Sequence, residues 1–152
     1  AALRAPDHAW LRTSSFIEVK GESLKKLSDI FVKYGKSVPD ISDEVLEKYK
    51  NAPYRAPMII ILVNTFKEHP KVPAIEQKLS TATAAQNIML ALNAMKYSCI
   101  WRTGKMAFNE LIQNELGLAK DQEILGYLYI GTESGEKKKI PNLDLDDFVS
   151  YL

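Results

Sequence analysis

Pro57-Met58-Ile59-Ile60-Ile61-Leu62-Val63 is the stretch on which the fold turns. Its unbroken, largely β-branched apolar run lacks the polar alternation of a half-exposed strand, so it is read as a strand buried on both faces at the centre of a sheet. Upstream, residues 15–20 suit a second strand ending at Gly21. Residues 22–34 carry Leu24, Leu27, Ile30, Phe31 and Tyr34 at helical spacing, with Gly35 placed as a left-handed C-cap. A turn at Val38-Pro39-Asp40 precedes Ser42, which is positioned to cap a helix with Asp43 and Glu44 in its first turn and Lys48 and Lys50 in its last. Asn51-Ala52-Pro53 ends it.

Downstream, a polar loop leads into a long helix over 75–96, rich in Ser, Thr and Ala, whose small side chains let other backbones approach inside the domain or at a subunit interface. Leu79, Ala82, Gln86, Met89 and Asn93 are expected on one face. Residues 97–103 read as a short strand or extended turn delivering Trp101 and Arg102. A helix over 106–116 should turn Leu111, Ile112 and Leu116 inward and stop at Gly117, and a strand over 123–130 should follow. Lys137-Lys138-Lys139 is expected to be a solvated loop, and the closing Phe148-Val149-Ser150-Tyr151-Leu152 needs a partner surface. The opening Ala1-Ala2-Leu3-Arg4, with no N-cap before it, reads as the last turn of a helix whose start is absent.

With 152 residues and 46% hydrophobic content, the chain is expected to form one domain over residues 1–152. A net charge of +1 gives no general reason to expect nucleic acid or an acidic membrane as partner. The longest apolar run falls far short of the roughly 20 residues of a membrane helix. One cysteine, Cys99, excludes an internal disulfide and favours a cytoplasmic setting. With only His8 and His69 beside it, no metal site is expected, and Cys99 itself reads as a buried apolar thiol. The seven glycines are scattered, and no G-x-G-x-x-G, G-x-x-x-x-G-K-[ST] or G-x-S-x-G occurs.

Two short segments carry the chemistry. Arg4-Ala5-Pro6-Asp7-His8 and Cys99-Ile100-Trp101-Arg102-Thr103-Gly104 each set an arginine beside a ring at the end of a regular element, where an anionic, planar ligand such as a flavin phosphate could be held. Each also has a plainer reading. Arg4 could pair with Asp7, His8 could cap a turn, and Trp101 could serve the core or an interface.

These two segments, with Asn51-Ala52-Pro53-Tyr54-Arg55-Ala56-Pro57, Lys71-Val72-Pro73, Glu76-Gln77 and the stretch from Gly126 to Thr132, resemble the nitroreductase family in its short, minimal form. The resemblance spans nearly the whole chain in the family's order. It implies an α+β fold with a central mixed or antiparallel sheet packed between helices, a homodimer with FMN at its interface, and NADH or NADPH as reductant of nitro compounds or quinones in a ping-pong cycle. It also implies that Arg4, His8, Trp101, Arg102 and Thr103 touch the flavin, and that Ala91, Leu92, Asn93, Ala94, Met95 and Lys96 form the nicotinamide stretch. No side chain is then required as a catalytic base, because the flavin carries the chemistry. Two departures stand out. The Arg-Arg-Ser helix with which the family usually opens has no counterpart in these residues, and Thr13, Ser14 and Ser15 stand where a proline and an aromatic are common. They motivate the alternatives of a flavin-binding protein without turnover, or a flavin-dependent dehydrogenase or dehalogenase.

Overall fold

The computed structural model describes residues 1–133, 135–136 and 139–152. Four antiparallel strands form one sheet in the order β1 (Ser14–Lys20), β2 (Met58–Thr65), β4 (Gln122–Gly131), β3 (Ser98–Arg102). The apolar run that opens β2 is therefore an inner strand, as its pattern requires. Ile59, Ile61 and Val63 face one core with Tyr127 and Tyr129, while Leu62 faces another with Leu128 and Ile130. Between the paired rows Leu62 with Gly126 and Val63 with Ile124, Leu125 is the extra residue of a β-bulge. The bulge reverses the strand's parity, returning Ile124 to the face of Tyr127.

Helices cover both faces. α1 (Ser23–Lys36), α2 (Asp43–Asn51) and α4 (Glu110–Glu115) enclose the first core, where Phe31 meets Tyr127 edge to face at 5.7 Å between centroids. α3 (Ala74–Ala94) lies on the second. Among the described residues no helix is long and apolar enough to cross a membrane, and no group of His, Cys, Asp and Glu is arranged to hold a metal ion.

Several local expectations need correction. Gly35 does not cap α1; the helix runs on to Lys36. A Cβ on Gly35 would lie 2.7 Å from Leu46 Cδ1 and 3.0 Å from Tyr49 Cδ2, so glycine serves the close approach of α2 instead. α3 stops at Ala94 because Lys96 adopts a left-handed conformation (φ 67°), with Lys96 N–H donating to Asn93 O and Tyr97 N–H to Leu92 O in a Schellman cap. On the face marked by Leu79, Ala82, Gln86, Met89 and Asn93, Ala82 and Met89 are half-buried, with Met89 against the second core, and the other three are exposed; Gln77, Thr81, Ala84 and Ala85 are the buried set. Alanines let the helix lie close to the sheet, and the two polar side chains find partners there. α4 begins only at Glu110, since Asn109 accepts from the Leu111 and Ile112 N–H groups and fixes the start. Its stop at Gly117 (φ 74°) is as read. Ser42 caps α2 by accepting from Val45 N–H, and Pro53 turns the chain into a 3-10 turn, Ala52–Arg55. Residues Ala2–Arg4, read as a helical turn, form a 3-10 turn. Cys99 is half-buried, not buried. Phe148, Tyr151 and Leu152 are exposed, and so is Lys139, whereas Lys137 and Lys138 lie outside the described residues.

Candidate functional site

The expected ligand-contacting residues fall into two groups, one at each edge of the sheet. At the β1 edge, the turn carrying Arg4 packs on α3 and leaves the guanidinium exposed. His8 follows, with its Nδ1 hydrogen-bonded to Glu76 Oε2 at 2.5 Å. The next residues take an unusual path, for Ala9 (φ 56°), Trp10 (φ 52°) and Arg12 (φ 54°) are all left-handed without being glycine. Side chains hold that path. Asp7 Oδ2 accepts from Arg12 N–H at 2.9 Å, and Lys67 Nζ donates to Leu11 O at 2.6 Å. Asp7 is thus engaged with Arg12, not with Arg4.

Below the loop lies a buried polar ladder. Gln77 accepts from Lys67 N–H and donates to Lys67 O and Val72 O. The Ser14 and Thr81 hydroxyls share a hydrogen bond at 2.9 Å, and Thr81 donates on to Asn64 Oδ1. Thr13 is buried, so it and Ser14 secure the loop to α3. Between loop and helix a shallow concavity of about 220 Å³ is lined by Pro6, His8, Glu76, Leu79, Ser80 and Thr83.

The β3 edge is built by packing. Trp101 turns toward α3, sharing a core with Ile88, Met89, Leu92 and Leu125, and its Nε1–H donates to Leu125 O at the bulge. Gly126 (φ 148°) makes room for the indole, since a Cβ there would sit 2.1 Å from Trp101 Nε1 and 2.8 Å from Arg102 O. Arg102 alternates to the other face, with its guanidinium carbon 5.7 Å from the centroid of the Tyr129 ring. Burial pushes the Tyr129 phenol up from its ordinary value, and the nearby Arg102 and Arg55 partly oppose this. Thr103 is exposed just beyond the strand. Burial likewise raises the Cys99 thiol, which leaves it a poor nucleophile.

The stretch Ala91, Leu92, Asn93, Ala94, Met95 and Lys96 is the last turn of α3 and its cap, and Leu92 brings it against Trp101. Asn93 lines a concavity of about 300 Å³ between this helix end and the start of β3. The structure thus joins 91–96 to the β3-edge group. It does not bring Arg4 and His8 to either: Glu76 and Leu92 are separated by roughly 24 Å of helix axis, and β1 and β3 are opposite edges of the sheet. Among the described residues neither Arg4 nor Arg102 forms an ion pair, so both forks are available to an anion.

Chain-wide comparison decides the relationship. The model of the nitroreductase family matches residues 1–132. The chain belongs to this family. Among curated nitroreductase relatives, "Putative NAD(P)H nitroreductase YdjA" of Escherichia coli strain K12 is 32% identical over 152 residues, covering 99% of this chain and 82% of that protein. A "Putative NAD(P)H nitroreductase" of Haemophilus influenzae is 34% identical over 155 residues, covering 100% of this chain and 83% of that one. The nitroreductase-like family protein from Bacillus cereus superposes with a TM-score of 0.82 at 22% identity, over 99% of this chain and 79% of its own. The FMN and NADPH-dependent nitroreductase NfnB of sphigopyxis sp. strain HMH superposes with a TM-score of 0.73 at 17% identity, over 99% and 85%. These structures establish the nitroreductase fold, with its antiparallel sheet between helices.

Sequence reasoning missed Glu76 as a partner of His8, and the Arg55 and Tyr129 surroundings of Arg102. A signal for Glu76 was present, because a glutamate three residues after a proline N-cap lacks the backbone N–H that a capping box uses.

Proposed function

We propose that this nitroreductase, as one domain over residues 1–152, is an FMN-dependent oxidoreductase of the cytoplasm that passes hydride from NADH or NADPH to nitro compounds or quinones. It works by a ping-pong cycle in which reductant and acceptor occupy the same shallow site in turn. The observation that carries this reading is the placement of Arg4 and Arg102, which form no ion pair among the described residues, on the two family segments at opposite sheet edges. One copy holds these segments apart. A two-fold homodimer setting the β1 edge of one copy beside the β3 edge of the other would complete a site for a single flavin. The exposed Ile75, Leu79 and Leu90 of α3 and the exposed Phe148 and Tyr151 of the tail offer apolar surface for such pairing.

Bound FMN supplies the redox chemistry, accepting hydride and giving it up again. The chain's residues bind and orient. Arg4 and Arg102 are suited to the phosphate or to the electron-rich edge of the reduced ring, each charge-assisted hydrogen bond being worth roughly 1.5–3 kcal/mol. His8 offers Nε2 and Thr103 its hydroxyl. Trp101, locked against the bulge, fixes the backbone from which Arg102 and Thr103 project. Asn93, from the 91–96 stretch, borders the concavity that would take the nicotinamide.

The test is a visible absorbance spectrum of the purified protein followed by anaerobic NADH or NADPH. A flavin spectrum that bleaches and then recovers with a quinone or nitroaromatic is expected, with a dimeric mass by light scattering. A colourless protein that takes up no added FMN would overturn the reading.

A further inference from the structure

We infer that Glu76 is a positioning residue for His8, fixing which imidazole nitrogen the β1-edge loop presents to its ligand. The inference rests on the flavin reading only for the identity of that ligand. Its basis is a pair drawn from distant parts of the chain, in which Nδ1 of His8 meets Oε2 of Glu76 at 2.5 Å. An ionised carboxylate only accepts, so the proton stands on Nδ1 and Nε2 is left as the acceptor nitrogen.

Three features make this more than a chance surface contact. Glu76 is in the first turn of α3, where a glutamate commonly reaches back to the N-cap N–H. The N-cap is Pro73, which has no such group, and the carboxylate is therefore free to turn to His8. The chain immediately after His8 is held in left-handed conformations at Ala9, Trp10 and Arg12, each costing roughly 1–2 kcal/mol. Such a path persists when its surroundings over-determine it, and here Asp7, Lys67 and Glu76 each fasten one point of the loop. Finally, His8 and Glu76 line the same concavity, so the ring is oriented at a surface a ligand can reach. Glu76 acts through His8 and need not touch the ligand.

Two measurements test this independently. Ring nitrogen NMR reads the tautomer without flavin, and with only His8 and His69 in the chain a His8→Ala spectrum assigns the signals. The wild-type ring should carry its proton on Nδ1, and Glu76→Ala should return it to the mixture of a solvated imidazole. Flavin fluorescence quenching then gives the FMN affinity of wild type, Glu76→Ala, Glu76→Gln, His8→Ala and the double variant. Glu76→Ala should weaken binding about tenfold, and Glu76→Gln, which keeps an acceptor, should recover most of the loss. In the His8→Ala background Glu76→Ala should have no further effect. Equal losses in both backgrounds, or a His8 tautomer unmoved by Glu76→Ala, would overturn the inference. If wild type fixes the tautomer yet binds no FMN, it is the flavin reading that fails, along with the ligand assigned to His8.

Discussion

The two edges of the sheet carry the two family segments, and they are held by different physics. At the β1 edge the loop from Asp7 to Ser14 is fastened by side-chain hydrogen bonds to groups far away in sequence, namely Glu76, Lys67, Gln77 and Thr81. At the β3 edge one large ring is locked by shape, with Trp101 filling the space that Gly126 leaves at the bulge. A hydrogen-bonded loop gives way in small steps as single bonds are removed. A shape lock fails at once, because the displaced ring carries Arg102 and Thr103 with it.

The sharpest way to break that contrast is Gly126→Ala. Its Cβ would collide with both the indole and the Arg102 carbonyl, in a backbone region that suits only glycine, so a loss of roughly 3 kcal/mol or more is expected in urea unfolding. The same variant in a Trp10→Phe background should shift the emission of Trp101, the remaining tryptophan. At the other edge Gln77→Leu should cost about 2 kcal/mol, since it strands the Lys67 N–H, the Lys67 carbonyl and the Val72 carbonyl beside a buried site. Limited proteolysis should then cut near the loop before the sheet is lost.

Alkali should act on the sheet interior next to the β3 edge. Tyr127, which pairs with Arg102, is buried and donates its hydroxyl to Met106 O, and burial raises its phenol well above the ordinary 10.0. The unfolded chain therefore loses this proton first. The stabilisation is complete below about pH 10 and disappears as pH rises toward the raised folded value. Tyr127→Phe should cost about 1 kcal/mol at neutral pH and flatten the alkaline fall in Tm. The smallest effect belongs to Asp7→Ala, about 0.5–1 kcal/mol, read as faster amide exchange at Arg12 with global stability nearly unchanged.

What could be read in advance follows the range of the interactions. Met58 to Val63 declared an inner strand because burial on both faces leaves its mark residue by residue, and Ser42 declared a helix start because its cap is three residues away. Gly35 was misread because the reason for it, the contact with Leu46 and Tyr49 of α2, is tertiary. The buried side of α3 was not legible for a related cause: Gln77 and Thr81 look like surface residues until Asn64, Lys67 and Val72 supply their partners. Residues 106–109 looked helical by period, but Asn109 made a better start. At the site, the segments were legible as motifs. Their separation, and the link from His8 to Glu76 across 68 positions, were not, since no local pattern encodes who meets whom across a fold.

The pairing of β2 with β4 has a kinetic consequence. Val63 meets Ile124, so the middle of the sheet closes only after a loop of roughly sixty residues, with all of α3 inside it, has been gathered. No two strands of this sheet are joined by a tight turn, and a hairpin cannot seed it. Refolding is therefore expected on the order of milliseconds to seconds, gated by long-range closure, with the α1–α2 contact over Gly35 among the few that can form early.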